Sequence, residues 1–134
     1  MSPLRRETLP IVSEQDVVLT RQRVREEAVR LGFKLVDQTK LVTAASELAR
    51  NALVYGGGGT VTLEATDTEF RSTLQLTFED QGPGIRDVDA ALPDGFSSGA
   101  GLGLGLGGSR RLVHEFEVLT SPGEGTRVRI ARSV

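Results

Sequence analysis

A run of four glycines, Gly56 to Gly59, divides this sequence into two parts with different apolar spacing. Before the run, apolar residues recur mainly at three- and four-residue steps, which is the period of a helix packed on one face. After the run, they alternate with polar residues, which is the period of a strand with one wet face. Because consecutive glycines stabilise neither element, the sequence predicts helices mostly before the run and strands after it.

The N-terminal part also predicts a short strand, from Leu9 to Val12, before its first helix. Ser13 and Asp16 have the spacing of a capping box, so the first helix is predicted to begin there. It is predicted to run to about Leu31 and to end at Gly32.

Asp37 is predicted to cap a second helix, which ends at the four glycines and has one apolar stripe made of Leu41, Ala45, Leu48, Ala52 and Tyr55. Four later strands are predicted: Thr60–Thr66, Thr73–Phe78, Phe116–Thr120 and Thr126–Ala131. A long irregular stretch, Asp80 to Gly101, and a short third helix ending near His114 separate the second and third of these strands. The predicted fold class is α+β, a two-layer α/β sandwich with a mixed sheet and helices on one face, formed as a single domain over residues 1–134.

The composition excludes several classes of protein. The 134 residues contain no cysteine and one histidine, which argues against a disulfide framework and against a cysteine-ligated metal site. A net charge of -2, with acids and bases interleaved, gives no basic stripe for nucleic acid. No apolar run is long enough for a signal peptide or a membrane span, so a cytoplasmic location is predicted.

Two polar side chains of the second predicted helix form the first candidate site. Glu47 and Asn51 are four residues apart, roughly 40° around the helix, and both lie beside its apolar stripe. A carboxylate there can take a proton from a hydroxyl, and an amide oxygen can ligate magnesium. The alternative is that both are ordinary solvated residues of a helix surface.

The segment Glu79–Ile85, EDQGPGI, forms the second candidate site. Asp80 ends a predicted strand, and Gly82 and Gly84 flank a proline in a turn that lets a ligand approach the backbone. A carboxylate held there can accept a hydrogen bond from an exocyclic amine such as that of adenine. The alternative is an ordinary loop rich in glycine and proline.

The third candidate site is a glycine-rich run that includes Gly101, Gly103 and Gly105 and precedes the third predicted helix. Free backbone N–H groups at a helix N-terminus can bind phosphates. The run is not a dinucleotide fingerprint, because no first strand precedes it, and the sequence has no Walker A motif. The alternative is a flexible lid or linker.

The order of these segments along the chain resembles a known family. SELARN, DQGPG, GLGLGL and the final GEGT resemble the N box, the two glycine boxes and the terminal Gly-Thr box of the GHKL (Bergerat) ATPase superfamily. Within it, the sequence is most similar to the RsbT-type serine/threonine switch kinases of bacterial stress signalling, which are related to the anti-sigma-factor kinases. The resemblance covers nearly the whole chain.

The resemblance implies ATP and Mg²⁺ as cofactors and a role for each site residue. Glu47 would be the general base, Asn51 would ligate magnesium, and Asp80 would bind the adenine amine. Gly82 and Gly84 would shape the adenine pocket, and Thr126 would support the base. The phosphates would lie against Gly101, Gly103 and Gly105.

The resemblance also implies partners. The substrate would be a STAS-domain antagonist or scaffold protein, and the kinase, once released, would activate a PP2C-type phosphatase. The sequence lacks a phosphoacceptor-histidine helix pair, so it is not a complete sensor histidine kinase. A short lid, roughly Asp87 to Ala100, would leave room for a protein substrate. Two alternatives remain open: an anti-sigma factor that sequesters a sigma factor, and a nucleotide-gated binding module without kinase activity.

Overall fold

A computed structural model describes residues 4–82, 112–120 and 125–134, which form two helices and five strands. In chain order these are β1 (Leu4–Ile11), α1 (Glu14–Arg30), α2 (Leu35–Val54), β2 (Gly59–Asp67), β3 (Ser72–Asp80), β4 (Glu115–Thr120) and β5 (Thr126–Ser133). The strands form one sheet in the order β1-β2-β3-β5-β4. The two helices pack against each other and against the sheet, which confirms the predicted two-layer α+β sandwich.

The prediction of a mixed sheet was wrong for the described strands, since all four strand pairings are antiparallel. A single crossover helix would return the chain parallel to β1. Here two helices connect β1 to β2, and the second helix carries the chain back to the end of the sheet where β1 finished, so that Gly59 begins β2 opposite Ile11. As a result β2 runs antiparallel to β1.

The core lies between the helices and the sheet because alternate strand residues face the helices. The strand register stacks these residues in rows, such as Val61 opposite Phe78 and Phe78 opposite Val128. The second row contains Leu63, Leu76 and Ile130. From α2, Leu41, Ala45, Leu48 and Ala52 are buried as the apolar stripe predicted. Tyr55 was wrongly included in that stripe, because it lies at the C-cap of α2 and is 44% exposed.

The first helix begins and ends where the sequence predicted. The Ser13 side chain accepts a hydrogen bond from the Asp16 amide, and the Asp16 carboxylate accepts one from the Val12 amide. Gly32 follows the helix with a φ of 84°, a left-handed conformation that favours glycine. The capping interaction and the glycine stop are therefore both confirmed.

The predicted start of the second helix was wrong. The N-cap is Lys34 and makes no side-chain capping bond, so Asp37 lies inside the first turn of α2. Its carboxylate is instead bound by Arg132 of β5, whose Nε and Nη2 atoms donate to Asp37 Oδ1 at 2.9 and 2.6 Å. A negative charge in the first turn of a helix also interacts favourably with the helix dipole. An acidic residue is therefore common both at the N-cap and in the first turn, and the sequence alone does not distinguish the two positions.

The Arg132 side chain holds together three parts of the fold at this end of the sheet. It is only 10% exposed and, besides Asp37, it donates to the carbonyl oxygen of Leu112 at 2.9 Å. Leu112 belongs to a turn that leads into β4, and the rest of the predicted third helix lies outside the described residues. The buried charge is thus paired with a carboxylate and a carbonyl from two separate segments.

We expect Arg132→Met to destabilise the fold by about 3–5 kcal/mol, because it leaves the largely buried Asp37 carboxylate without its cation. The double variant Arg132→Met/Asp37→Leu should recover part of that loss, since it buries no unpaired charge. Urea unfolding of the three proteins measures both effects. Equal stability of the single variant and the wild type would contradict this role for the ion pair.

Candidate functional site

Asp80 lies at the last position of β3, where three backbone segments meet. In the strand register it stands opposite Gly59 of β2 on one side and Thr126 of β5 on the other. Its neighbours are therefore the first residue of β2, which is the last of the four glycines, and the first residue of β5. The prediction that this carboxylate ends a strand is confirmed.

Glycines allow the backbone to approach Asp80 closely from several directions. A Cβ atom at Gly56 would overlap the Asp80 carboxyl group, and one at Gly125 would overlap the Asp80 carbonyl oxygen. A Cβ atom at Gly82 would lie 2.6 Å from the Gly56 Cα. We call this set, Gly56, Gly82 and Gly125 around Asp80, the carboxylate cradle.

Two members of the cradle were not singled out from the sequence. Gly56 was treated only as the end of a helix, and Gly125 only as part of the final GEGT motif. Their spacing to Asp80 is not visible in sequence, because each is brought there by strand pairing. The signal that could have found them is a glycine close to a predicted site residue, since Gly56 begins a run of four glycines after Asn51 and Gly125 precedes Thr126.

The electrostatics of Asp80 combine burial with hydrogen bonding. Burial raises the pKa of the Asp80 carboxyl group above its ordinary value, and hydrogen bonds from the backbone of Gly82 and Thr126 partly offset that rise. The Gly82 amide donates to Asp80 Oδ1 at 2.9 Å. The carboxyl group is thus held in a fixed orientation, suited to accept a further hydrogen bond from a ligand.

The two polar residues of α2 differ in their surroundings. Glu47 is exposed, whereas Asn51 is partly buried. The carbonyl oxygen of Asn51 accepts hydrogen bonds from the amides of Tyr55 and Gly56, at 2.9 and 3.1 Å. Because Gly56 packs on Asp80, this backbone link connects the Asn51 end of α2 to the carboxylate cradle. Glu47 lies about one helical turn before Asn51, farther from the cradle.

The structure locates only part of the predicted site. Gly82 and Thr126 flank Asp80 as described, while Gly84, Gly101, Gly103, Gly105 and the predicted lid from Asp87 to Ala100 lie outside the described residues. Across the described ranges no group of three or more His, Cys, Asp or Glu residues could hold a metal ion. No helix in these ranges is long and apolar enough to cross a membrane.

Comparison with known proteins identifies the class to which this fold and cradle belong. Residues 36–132, which run from the first turn of α2 to the end of β5, match the family described as histidine kinase-, DNA gyrase B- and HSP90-like ATPases. The chain therefore belongs to this ATPase family, as the order of the four sequence motifs predicted.

Within that family the similarity to one kinase is high. The chain is 45% identical over 118 residues to the serine/threonine-protein kinase RsbT of Bacillus subtilis (strain 168), which covers 88% of this chain and 89% of that protein. It is also 26% identical over 113 residues to the anti-sigma F factor of Thermoanaerobacter sp. (strain X514), covering 80% and 78% of the two chains.

Solved structures show the same fold. A crystal structure of the RsbU and RsbW domains of a Mycobacterium tuberculosis protein aligns with a TM-score of 0.61 at 18% identity, covering 98% of this chain and 32% of that one. A histidine kinase domain from Erythrobacter litoralis aligns with a TM-score of 0.54 at 21% identity, covering 92% and 60%. This chain therefore spans about a third of the first solved chain and three fifths of the second.

We expect Asp80→Asn to be at least as stable as the wild type at neutral pH, since burial disfavours the ionised carboxylate. A raised native pKa means that the folded protein binds more protons than the unfolded one between the ordinary and the raised pKa. The wild type should therefore gain stability relative to Asp80→Asn as the pH falls through this window. Urea unfolding of both proteins across the carboxylate range measures the difference, and a pH-independent difference would contradict the assignment.

Proposed function

We propose that this protein is a cytoplasmic, ATP-dependent protein serine/threonine kinase that acts by partner switching. The observation that carries the proposal is the carboxylate cradle at the end of β3, in a chain 45% identical to RsbT along most of both lengths. Asp80 would supply the acceptor that distinguishes adenine, and α2, whose C-terminal end is linked to the cradle through Gly56, would supply a carboxylate and an amide at helical spacing.

The cradle is the proposed adenine pocket. Asp80 would accept a hydrogen bond from the exocyclic amine, with the Thr126 backbone and Gly82 holding the carboxylate in place and Gly84 shaping the rim. A partly desolvated carboxylate discriminates strongly, because a base without the amine would displace water from it and leave an acceptor position unfilled. This favours ATP over GTP, whose base presents a carbonyl at that position.

We expect Asp80→Asn to lower ATP affinity by roughly 10- to 150-fold, the equivalent of about 1.5–3 kcal/mol for a hydrogen bond to a charged group. GTP should bind the wild type far more weakly than ATP does. Isothermal titration calorimetry with both nucleotides measures this, and Glu79→Gln on the same strand is a matched control. Unchanged ATP affinity in Asp80→Asn would remove Asp80 from the adenine pocket.

Phosphoryl transfer would use the residues of α2. Asn51 fits a Mg²⁺ ligand, because magnesium is commonly held by one or two protein oxygens together with substrate phosphates and water. Bound Mg·ATP would supply the transferable phosphoryl group, with its phosphates against Gly101, Gly103 and Gly105. The hydroxyl oxygen of the substrate would bond to the γ-phosphorus while the bond to ADP breaks, and Glu47 would take the hydroxyl proton.

We expect Glu47→Gln to keep ATP affinity but to slow phosphorylation by about 10²- to 10⁴-fold, the usual contribution of a general base. Asn51→Asp should lower Mg·ATP affinity and rate together. Incorporation of radiolabelled phosphate into the partner measures the rate, and Glu14→Gln, an exposed glutamate of α1, is the control. A wild-type rate for Glu47→Gln would make Glu47 a surface residue.

The proposed substrates are STAS-domain antagonist or scaffold proteins, and the proposed second partner is a PP2C-type phosphatase. The added phosphate, with about -1.5 to -2 charges, would weaken the contact with the acidic segment that contains Asp87, Asp89 and Asp94, which lies outside the described residues. The kinase would then be free to bind the phosphatase. A surface shared by both partners would make their binding mutually exclusive.

The second candidate function is that of an anti-sigma factor, favoured by the 26% identity to an anti-sigma F factor over 80% of the chain. One experiment separates the candidates. Radiolabelled ATP is incubated with this protein and proteins encoded near it, and each mixture is then subjected to pull-down. Phosphate transfer followed by release supports the switch kinase, and stable capture of a sigma factor supports the alternative. Capture that depends on ATP without transfer would indicate a binding module.

A further inference from the structure

Exposed apolar side chains lie together at the end of the sandwich away from Asp80. Gly56, which follows α2, packs on Asp80, whereas the first turn of α2 is bound by Arg132, which pairs with Leu74 near the start of β3. The α1–α2 loop and the β2–β3 turn therefore lie at the same end of the molecule. Single exposed apolar residues are ordinary, but several at one end indicate an interaction surface.

The β2–β3 turn presents an aromatic side chain to solvent. Phe70 is 91% exposed, the highest value among the exposed large hydrophobic residues of the described ranges. The Thr68 hydroxyl holds the turn, since it donates to the Arg71 carbonyl oxygen at 2.8 Å and accepts from the Arg71 amide at 3.0 Å. At the base of the turn the Ser72 hydroxyl donates to Asp67 Oδ1 at 2.7 Å. Phe70 is thus carried by a preformed turn, which lowers the entropy cost of binding through it.

A second apolar surface lies on the helix layer at this end. It is formed by Val29 in the last turn of α1 and by Leu35 and Val36 in the first turn of α2, which are 55, 69 and 63% exposed. The loop between the helices is fixed, because the Phe33 amide donates to the Ala28 carbonyl oxygen at 2.9 Å and the Phe33 side chain is buried. We call Val29, Leu35 and Val36 the platform.

The platform segment and the turn carry net charges of opposite sign. Residues 28–36, which contain the platform, include two cations, Arg30 and Lys34, and no acid, and both cations are exposed. Residues 67–71 include two exposed acids, Asp67 and Glu69, and one exposed cation, Arg71. One end of the molecule therefore presents an aromatic side chain in an acidic setting and an apolar platform in a basic setting.

A surface that carries both halves of a contact fits a second copy of this chain. In a two-fold interface residue i of one copy contacts residue j of the other and the reverse contact is made as well, so the surface must be complementary to itself. When Phe70 packs on Leu35 of the second copy, their chain neighbours Glu69 and Lys34 also come close to each other, with opposite charges. An unrelated partner would require only one of the two halves on this chain.

The size of the apolar contact indicates how strong the association is. Burial of a phenylalanine removes roughly 150–250 Å² from water, and a two-fold interface buries Phe70 twice. Together with the platform residues and the charged rim, the contact reaches about 1,200 Å², the low end of specific interfaces. Such a surface supports a reversible dimer of micromolar affinity and not a permanent one.

We propose that this end of the sandwich is a self-association surface, where two copies form a two-fold dimer with Phe70 of each on the platform of the other. Asp80 is the last residue of β3 and Ser72 the first, so the strand alone separates the cradle from the turn by about 27 Å. The two cradles of a dimer therefore face away from each other, more than about 50 Å apart. Both candidate sites stay accessible, and the proposal does not depend on the kinase activity proposed above.

Sedimentation velocity over a range of protein concentrations tests the surface. We expect a monomer–dimer equilibrium for the wild type and a dimer weakened about a hundredfold in Phe70→Ser, because one substitution removes two contacts. Leu119→Ser is the control, since Leu119 is 53% exposed on β4 at the Asp80 end and should leave association unchanged. Equal unfolding midpoints in urea at low protein concentration show that the fold is intact in all three. A wild type that stays monomeric, or a dimer that Phe70→Ser does not weaken, would overturn the proposal.

A charge exchange tests the pairing between the two copies. Glu69→Lys and Lys34→Glu should each weaken self-association about tenfold, because each places like charges opposite each other at both contacts. An equimolar mixture of the two variants should associate as strongly as the wild type, since both contacts of the mixed dimer again join opposite charges. Undiminished association of either variant alone would contradict the proposed pairing, and so would a mixture that associates no better than the separate variants.

Discussion

The close approach of backbone around the Asp80 carboxyl group is the constraint on which the candidate site depends. Three segments contribute a glycine each, from the end of α2, the residues after β3 and the residue before β5. A side chain at Gly56 or Gly125 would overlap Asp80 itself, so the cradle exists only because these positions carry none. The carboxylate is thereby partly desolvated and still hydrogen-bonded, so its burial costs free energy that the backbone hydrogen bonds partly offset.

The cradle also fixes one end of α2 against the sheet. The α2 helix ends at Val54, two residues before Gly56, so the end of the helix is fixed against the end of β3. Asn51 is tied to the same point through its carbonyl oxygen. At the opposite end of the sheet, Arg132 joins the first turn of α2 to β5 through Asp37. One end of α2 is therefore attached to the sheet by an ion pair, the other by the close packing of Gly56 on Asp80, and its middle by the apolar core.

The sequence predicted the features that depend on local spacing. The Ser13 cap, the Gly32 stop, the α2 core residues and the end of β3 at Asp80 each follow from neighbours a few residues away. The family also followed from motif order. The Asp37 cap was wrong because the partner of Asp37 lies on the last strand, 95 residues away. The positions of Gly56 and Gly125 beside Asp80 could not be derived either, since strand pairing brings them there.

The order of the sheet has a consequence for how the chain folds. The β2–β3 hairpin closes over a separation of 5 residues between Asp67 and Ser72, whereas Thr8 and Thr62 on β1 and β2 are 54 apart. Thr73 and Ser133, which join β3 to β5, are 60 apart. Loop-closure entropy therefore favours the hairpin first and the flanking strands later. Asp80 gains its neighbour on β5, Thr126, only in the second stage, so a partly folded chain has the carboxylate but no complete cradle. The nucleotide selectivity proposed for Asp80 would therefore arise only when the sheet is finished.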